Sequence, residues 1–330
     1  MSSVIKLDNL TKKFGEFTAV DNISFEIKEG EIFGFLGPNG AGKTTTLSML
    51  STLLEPTSGK ASVNNFDIKT QKDNVRKSIG IVFQDPTLDD ELTAYENMDF
   101  HGRFYSVPKE IRKKKIIELL RLVQLEDRRD SLVKTFSGGM KRRLEITRGL
   151  LHEPKVLFLD EPTIGLDPQT RNSLWEYIKN LNKNSNLTII ITTHYMDEAD
   201  KLCNRIAIID HGKIEVMGTP KNLKSKIGGD IISIESFQTE EIKEIFAKCS
   251  WCKSSKIHNH TITANVKNAE THVAEIVGLL EAKKIKISSL NISPPTLEDV
   301  FLHYTGKTIR EQEANPVDVF RLRKRAMRRR

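Results

Sequence analysis

Residues 37–44 read GPNGAGKT and satisfy the spacing G-x-x-x-x-G-K-[ST]. They follow the apolar run IFGFL and precede the helix-forming TTTLSMLSTLL, the strand–loop–helix setting in which this spacing binds phosphate. In the loop Gly37, Pro38, Asn39, Gly40, Ala41 and Gly42, the glycines let backbone N–H groups wrap a β-phosphate without Cβ clashes. Lys43 supplies a mobile charge for the β- and γ-phosphates, Thr44 a hydroxyl for Mg²⁺, and Thr45 continues the helix mouth, whose dipole favours an anion. A nucleoside triphosphate such as ATP, with Mg²⁺, is the ligand this chemistry takes. Further on, KVLFLDE ends an apolar strand in Asp160, a second Mg²⁺ candidate, and then Glu161, which is placed to polarise an attacking water. Phe14, in KKFGEF, offers a face on which adenine could stack; the alternative is an ordinary core phenylalanine.

A second anion mouth stands at 135–145, TFSGGMKRRLE. Ser137 is a good N-cap, and Gly138 and Gly139 leave free N–H groups at a helix start. No lysine follows to hold an anion as Lys43 does, so this is half a site. One chain with one of each pattern satisfies both by two-fold pairing, which yields two identical composite sites.

The elements that must position these residues are legible in outline. SIGIVF, KVLFLD and LTIIITT are nearly continuous in apolar character, as strands of a parallel sheet covered on both faces are. KEIRKKKIIELLRLV places Ile116, Leu119, Leu120 and Val123 on one helical face, within a mostly helical insertion over about 86–150. A boundary is expected near KSKIGGD, dividing an α/β unit over 1–225 from a smaller one over 226–306. The second follows the order βαββαβ, with strands near 231–236, 254–258, 260–266 and 285–292, which fits a ferredoxin-like α+β domain. Thr296 and Asp299 form a capping box opening a last short helix. A polar tail is expected over 307–330.

The chain of 330 residues is long enough for two cores, and no run approaches the ~18–20 apolar residues that span a bilayer. Of the net charge of +7, the seven Arg and Lys of RLRKRAMRRR account for all, so the body is not a general nucleic-acid binder on charge grounds. Next to anionic lipid, the same tail would add about 1 kcal/mol per basic residue and hold the protein at a membrane surface. Three cysteines fit a reducing compartment; Cys249 and Cys252, with His258 and His260 following, are a weak zinc alternative to two half-buried thiols at a helix end.

Phosphate loop, Gln84 after SIGIVF, FSGGM, LFLDEPTIGLD and His194 after TIIITT come in one order, and this series resembles the ATP-binding cassette (ABC) ATPases over about residues 3–225. The resemblance implies a P-loop nucleotide-binding domain with a helical subdomain, and ATP hydrolysis in a dimer whose Ser137-Gly138-Gly139 faces the γ-phosphate held by the partner. It implies that Gln84 touches the Mg²⁺ or the water and relays nucleotide state. It further implies that Gly165, Leu166 and Asp167 cross the dimer interface, and that His194, which lies 33 residues past Glu161, contacts the γ-phosphate. Lys43, Gln84, Glu161 and His194 are then the catalytic set, and Thr44, Gln84 and Asp160 the metal set. Two departures stand out: Met140 replaces the usual glutamine and Ile164 a small hydroxyl, and neither removes a group needed for the chemistry.

PPTLEDVFLHYTG, together with the domain layout, is similar to daunorubicin-type resistance exporters. That implies two such subunits, a homodimer or a cassette heterodimer, docked on separate membrane permease subunits at the cytoplasmic face, exporting drugs or other amphipathic compounds. The competing readings are a soluble cassette ATPase acting on ribosomes or DNA and a regulatory nucleotide-binding module. A single cassette without a long coiled coil argues against the first, and Glu161 with His194 argues against the second.

Overall fold

A computed structural model of the chain describes residues 2–267 and 269–306. It divides into two units that part between Thr219 and Pro220, ahead of the boundary expected at 225. The basic tail over 307–330 and the side chain of His258 lie outside the described residues.

The first unit opens with β1 (Ser3–Phe14) and β2 (Phe17–Lys28), paired antiparallel. It continues through β3 (Ile32–Leu36), α1 (Lys43–Leu50), β4 (Ser58–Val63), β5 (Phe66–Asp67), α2 (Lys72–Ser78) and β6 (Ile79–Val82). The helical stretch holds α3 (Ala94–Phe104), α4 (Lys109–Leu122) and α5 (Gly138–Arg148). The unit closes with β7 (Val156–Asp160), α6 (Pro168–Ser185), β8 (Thr188–Thr193), α7 (Met196–Leu202), β9 (Arg205–Asp210) and β10 (Lys213–Gly218).

Two sheets share this unit. The larger runs β10-β9-β3-β8-β7-β6 and is parallel except for the β10 edge. Every residue of β3, β7 and β8 is buried, which is why those runs read as unbroken apolar stretches. The smaller sheet, β2-β1-β4-β5, is antiparallel and was not resolved by the strand–helix alternation read from the sequence. Its signal is the period of two in β2, where Ile23, Phe25 and Ile27 are buried while the residues between them face outward. The two sheets meet through aromatic packing: Phe25 stacks on Phe33 at 5.4 Å and meets Phe35 edge-on at 5.6 Å. On α4, Ile116 and Leu120 are fully buried, as is Val123 just past its end, while Leu119, expected on the same face, is only half-buried.

Because β3 lies beside β8, and β8 beside β7, the carboxyl ends of these three strands share one edge of the sheet. In open parallel sheets that edge is where ligands bind. The phosphate loop, Asp160 and His194 all follow directly from it.

The second unit starts with α8 (Pro220–Ile227), then β11 (Asp230–Glu235), α9 (Thr239–Phe246), β12 (Cys252–His258), β13 (Thr261–Val266), α10 (Ala269–Ala282), β14 (Ser289–Ser293) and α11 (Leu297–Thr305). Its sheet runs β12-β13-β11-β14, antiparallel throughout, the strand order of a ferredoxin-like fold. Phe246, Trp251, Ile262, Ile276 and Leu280 fill its own core. Thr296 and Asp299 make both arms of the capping box that opens α11. Cys249 and Cys252 are half-buried just past α9, and among the described residues no group of three or more His, Cys, Asp or Glu gathers as a metal site would.

Candidate functional site

The phosphate loop closes on α1 through Gly42, whose φ of +106° is open only to glycine; a Cβ there would lie 2.5 Å from the Ala19 carbonyl oxygen. Lys43 is 4% exposed, and its Nζ donates to the carbonyls of Gly37 at 2.6 Å and Pro38 at 3.1 Å. The same ammonium stands 3.3 Å from Glu161 Oε1. On the other oxygen of that carboxylate, His194 Nδ1 sits at 3.1 Å. Lys43, Glu161 and His194, distant in sequence, therefore form one contiguous array, the first two buried and His194 half-buried.

Asp160 ends β7 at 2% exposure and accepts a hydrogen bond from Thr44 Oγ1 at 3.2 Å. Two hard oxygen donors side by side are the kind Mg²⁺ takes, so these residues fit that ion. Burial pushes the Asp160 carboxyl above the usual carboxylate range, against the hydrogen bonds from Thr192 and Thr44. Burial also works to raise Glu161, but the His194 hydrogen bond and the Lys43 charge outweigh it, and its carboxyl lies below its ordinary value. The two adjacent carboxylates are thus pushed in opposite directions, Glu161 down by its partners and Asp160 up by burial.

Glu161 itself has φ +46°, in the left-handed region that costs a non-glycine residue energy. It is held there by two hydrogen bonds from its own N–H, to the carbonyl of Thr192 at 3.1 Å and to Thr192 Oγ1 at 3.0 Å. The Thr192 hydroxyl in turn donates to Asp160 Oδ1. The sequence reading passed over Thr192. Its signal was a hydroxyl inside an otherwise aliphatic buried strand, TIIITT, where a polar group needs a partner.

The second anion mouth does not join this array. Ser137 caps α5, accepting from Met140 N at 3.3 Å, and the mouth packs on the segment after Glu161 instead. A Cβ at Gly138 would lie 3.6 Å from Leu166 Cδ2, and one at Gly139 would collide with Thr170 Cγ2 at 2.3 Å. Asp167 caps α6, accepting from the N–H groups of Gln169 and Thr170. Gly165 and Ile164 are exposed next to it. Gln84 is exposed just past β6, and Phe14 is 46% exposed, with Lys12 5.1 Å from the centre of its ring. The first unit thus carries a phosphate loop with its carboxylates and, packed on the segment after Glu161, a capped helix mouth.

The profile of the ABC transporter family matches residues 20–164, and that of the ATP-binding protein DrrA1-3-like C-terminal domain matches 218–305. The linearmycin resistance ATP-binding protein LnrL of Bacillus subtilis (strain 168) is 40% identical over 314 residues, covering 93% of this chain and all of that protein. The daunorubicin/doxorubicin resistance ATP-binding protein DrrA of Streptomyces peucetius is 35% identical over 306 residues, covering 92% of each. An ATP-binding cassette solved as a dimer in a post-hydrolysis state, bound to ADP and Pi, superposes with a TM-score of 0.59 at 32% identity, covering 65% of this chain and 98% of that one. The chain belongs to the ABC transporter family and is an ABC ATPase. Within it, the DrrA-like second unit makes it an ATP-binding subunit of the drug-resistance exporter type. ATP-binding cassettes of this family form dimers and serve membrane permeases. Among the described residues no helix is long and apolar enough to cross a membrane.

Proposed function

We propose that two copies of this chain pair around two ATP molecules and drive export of an amphipathic antibiotic or related compound through a separate permease. The observation that carries this reading is that the chain has one phosphate loop, whose Lys43 meets a Glu161 that also meets His194, and one capped helix mouth at Ser137 that packs on Leu166 and Thr170. The mouth of one copy then faces the γ-phosphate held by the phosphate loop of the other, with Asp167 beside it. A cassette heterodimer is the alternative pairing. The resistance names of the relatives support the cargo class.

In this reading Lys43 leaves its carbonyl partners for the β- and γ-phosphates, and Gly37 to Thr45 wrap them with backbone N–H groups. Phe14 stacks on adenine. Thr44, Asp160 and Gln84 would hold Mg²⁺, which when bound would supply charge neutralisation. Glu161, kept ionised by His194 and Lys43, orients the water for in-line attack, and His194 turns its remaining ring nitrogen to the γ-phosphate. Ser137, Gly138 and Gly139 of the partner copy add N–H donors as charge develops.

A permease seat is supported by a cleft of about 290 Å³ lined by Thr87, Asn97, Phe100, Phe104 and Arg148. Phe100 and Phe104 are 70% and 78% exposed, an apolar pair wasted on water but suited to a coupling segment of the permease. The protein then sits peripherally at the cytoplasmic face of the membrane, with 307–330 against anionic lipid.

Glu161→Gln tests the composite site. With ATP and Mg²⁺ it should keep nucleotide, lose turnover and accumulate as a dimer by light scattering. A monomer that binds ATP without pairing would overturn the reading.

A further inference from the structure

Arg142, Glu145 and Arg148 recur every three residues along α5; the first two are buried in the first unit, and Arg148 is half-buried at the rim of the cleft. Arg142 is 7% exposed and spends its planar fork on three backbone carbonyls: Nε on Pro162 at 2.9 Å, Nη2 on Asp160 at 3.0 Å and Nη1 on Phe83 at 2.6 Å. Nη1 also meets Glu145 Oε2 at 3.0 Å. Glu145, 3% exposed, uses its other oxygen to accept from Thr87 N at 2.7 Å. Arg148 donates to the Thr87 carbonyl at 2.9 Å. Phe83 and Thr87 flank Gln84, and Asp160 and Pro162 flank Glu161. One guanidinium and one carboxylate thus join the backbone on both sides of each of those residues.

We infer that Arg142 and Glu145 are positioning residues that set Glu161 according to where the segment carrying Gln84 stands. This rests on the reading above that Gln84 and Glu161 serve hydrolysis. A buried ion pair adds little to stability compared with apolar packing of the same volume, although removing one partner alone is costly. What it does supply is rigidity of geometry: a planar fork bound at three points passes a displacement of Phe83 to Asp160 and Pro162 instead of absorbing it. Glu161 is sensitive to such a displacement because its left-handed backbone is over-determined by its neighbours. Lysine at 142 would keep the charge but not the three-way fork. The same helix begins at Ser137, so the mouth offered to the partner's ATP and the link to this copy's own carboxylate share one rigid body.

A kinetic double-mutant cycle on the full chain tests this, with ATP turnover and the affinity for a fluorescent ATP analogue measured for each variant. Gln84→Ala and Glu145→Gln should each lower kcat about tenfold, with nucleotide affinity changed by less than about twofold. The double variant should be within about twofold of Gln84→Ala alone, because both remove the same linkage. A double variant about a hundredfold slow, as independent effects multiply, would overturn the inference while leaving the role of Gln84 intact. An unchanged kcat in Gln84→Ala would remove the reading of Gln84, and the inference with it. Arg142→Lys carries the same cycle if Glu145→Gln melts below the assay temperature, and its loss of nucleotide affinity in step with kcat would mark a purely structural role.

Discussion

His101→Phe should change how the first unit responds to acid while leaving it at least as stable at neutral pH. His101 lies on α3, its ring 4.9 Å from Tyr105 and 5.9 Å from His152, and its buried Nε2 meets no hydrogen-bond partner among the described residues. Burial, then the nearby charges of Arg148 and His152, bring its pKa from 6.5 to about 3. The folded protein therefore keeps this ring neutral, whereas the unfolded chain takes up a proton below pH 6.5. The unfolded state binds more protons throughout that interval, so stability is lost as pH falls through 6.5 and continues to fall to about 3. At pH 5 the gap is 1.5 pH units below the unfolded value, or about 2 kcal/mol at 1.36 kcal/mol per unit, an upper figure because the ring keeps some contact with solvent. At pH 7.5 the contribution is close to zero. Phenylalanine is a somewhat larger planar ring with room in the adjoining cleft, removes an unsatisfied nitrogen and cannot titrate. Urea unfolding between pH 7.5 and 5, followed by Trp175 emission with Trp251 replaced by Phe, should show the variant gaining on the parent by up to about 2 kcal/mol as pH falls. His152, also lowered by burial, stays in both proteins, so only its coupling to His101 enters the difference. Curves that remain parallel within about 0.5 kcal/mol across the interval would refute the assignment.

Gly139→Ala should destabilise the chain by about 1–3 kcal/mol through overpacking, since its Cβ would fall 2.3 Å from Thr170 Cγ2. Thr170→Ser removes that methyl and should restore most of the melting temperature, which scanning calorimetry would read directly. Ser137→Ala should cost about 1 kcal/mol of stability through the lost cap, seen in urea unfolding, and lower ATP turnover further than that loss accounts for. Of the three thiols, Cys203 is buried and pushed far above its ordinary pKa by that burial. It should react with a thiol reagent only on unfolding, while Cys249 and Cys252, partly exposed, titrate in the native protein. Three thiols reacting at one native rate would contradict the burial of Cys203, whose Sγ would lie 2.6 Å from a Cβ at Gly34.

The chemistry of this chain was legible in its sequence wherever it is written within one contiguous stretch. A glycine-rich loop between a buried strand and a helix, an apolar strand ending in two acids, and a serine ahead of two glycines each specify their local geometry from neighbouring residues; the βαββαβ succession of the second unit was equally legible, while its strand pairing came from the structure. Tertiary structure decided what no local pattern encodes. The insertion of β8 between β3 and β7 is what brings Lys43 to Glu161, and His194 to the same carboxylate. Thr192 and Arg142 acquired their partners only because residues distant in sequence came within hydrogen-bond reach; in the sequence one is a hydroxyl in a strand and the other an arginine in a basic helix. The antiparallel β1–β2 sheet escaped for the same reason: its period of two shows one covered face but does not say that Phe33 and Phe35 cover it. Spacing along the chain determines which groups are available, and long-range strand pairing determines which of them meet.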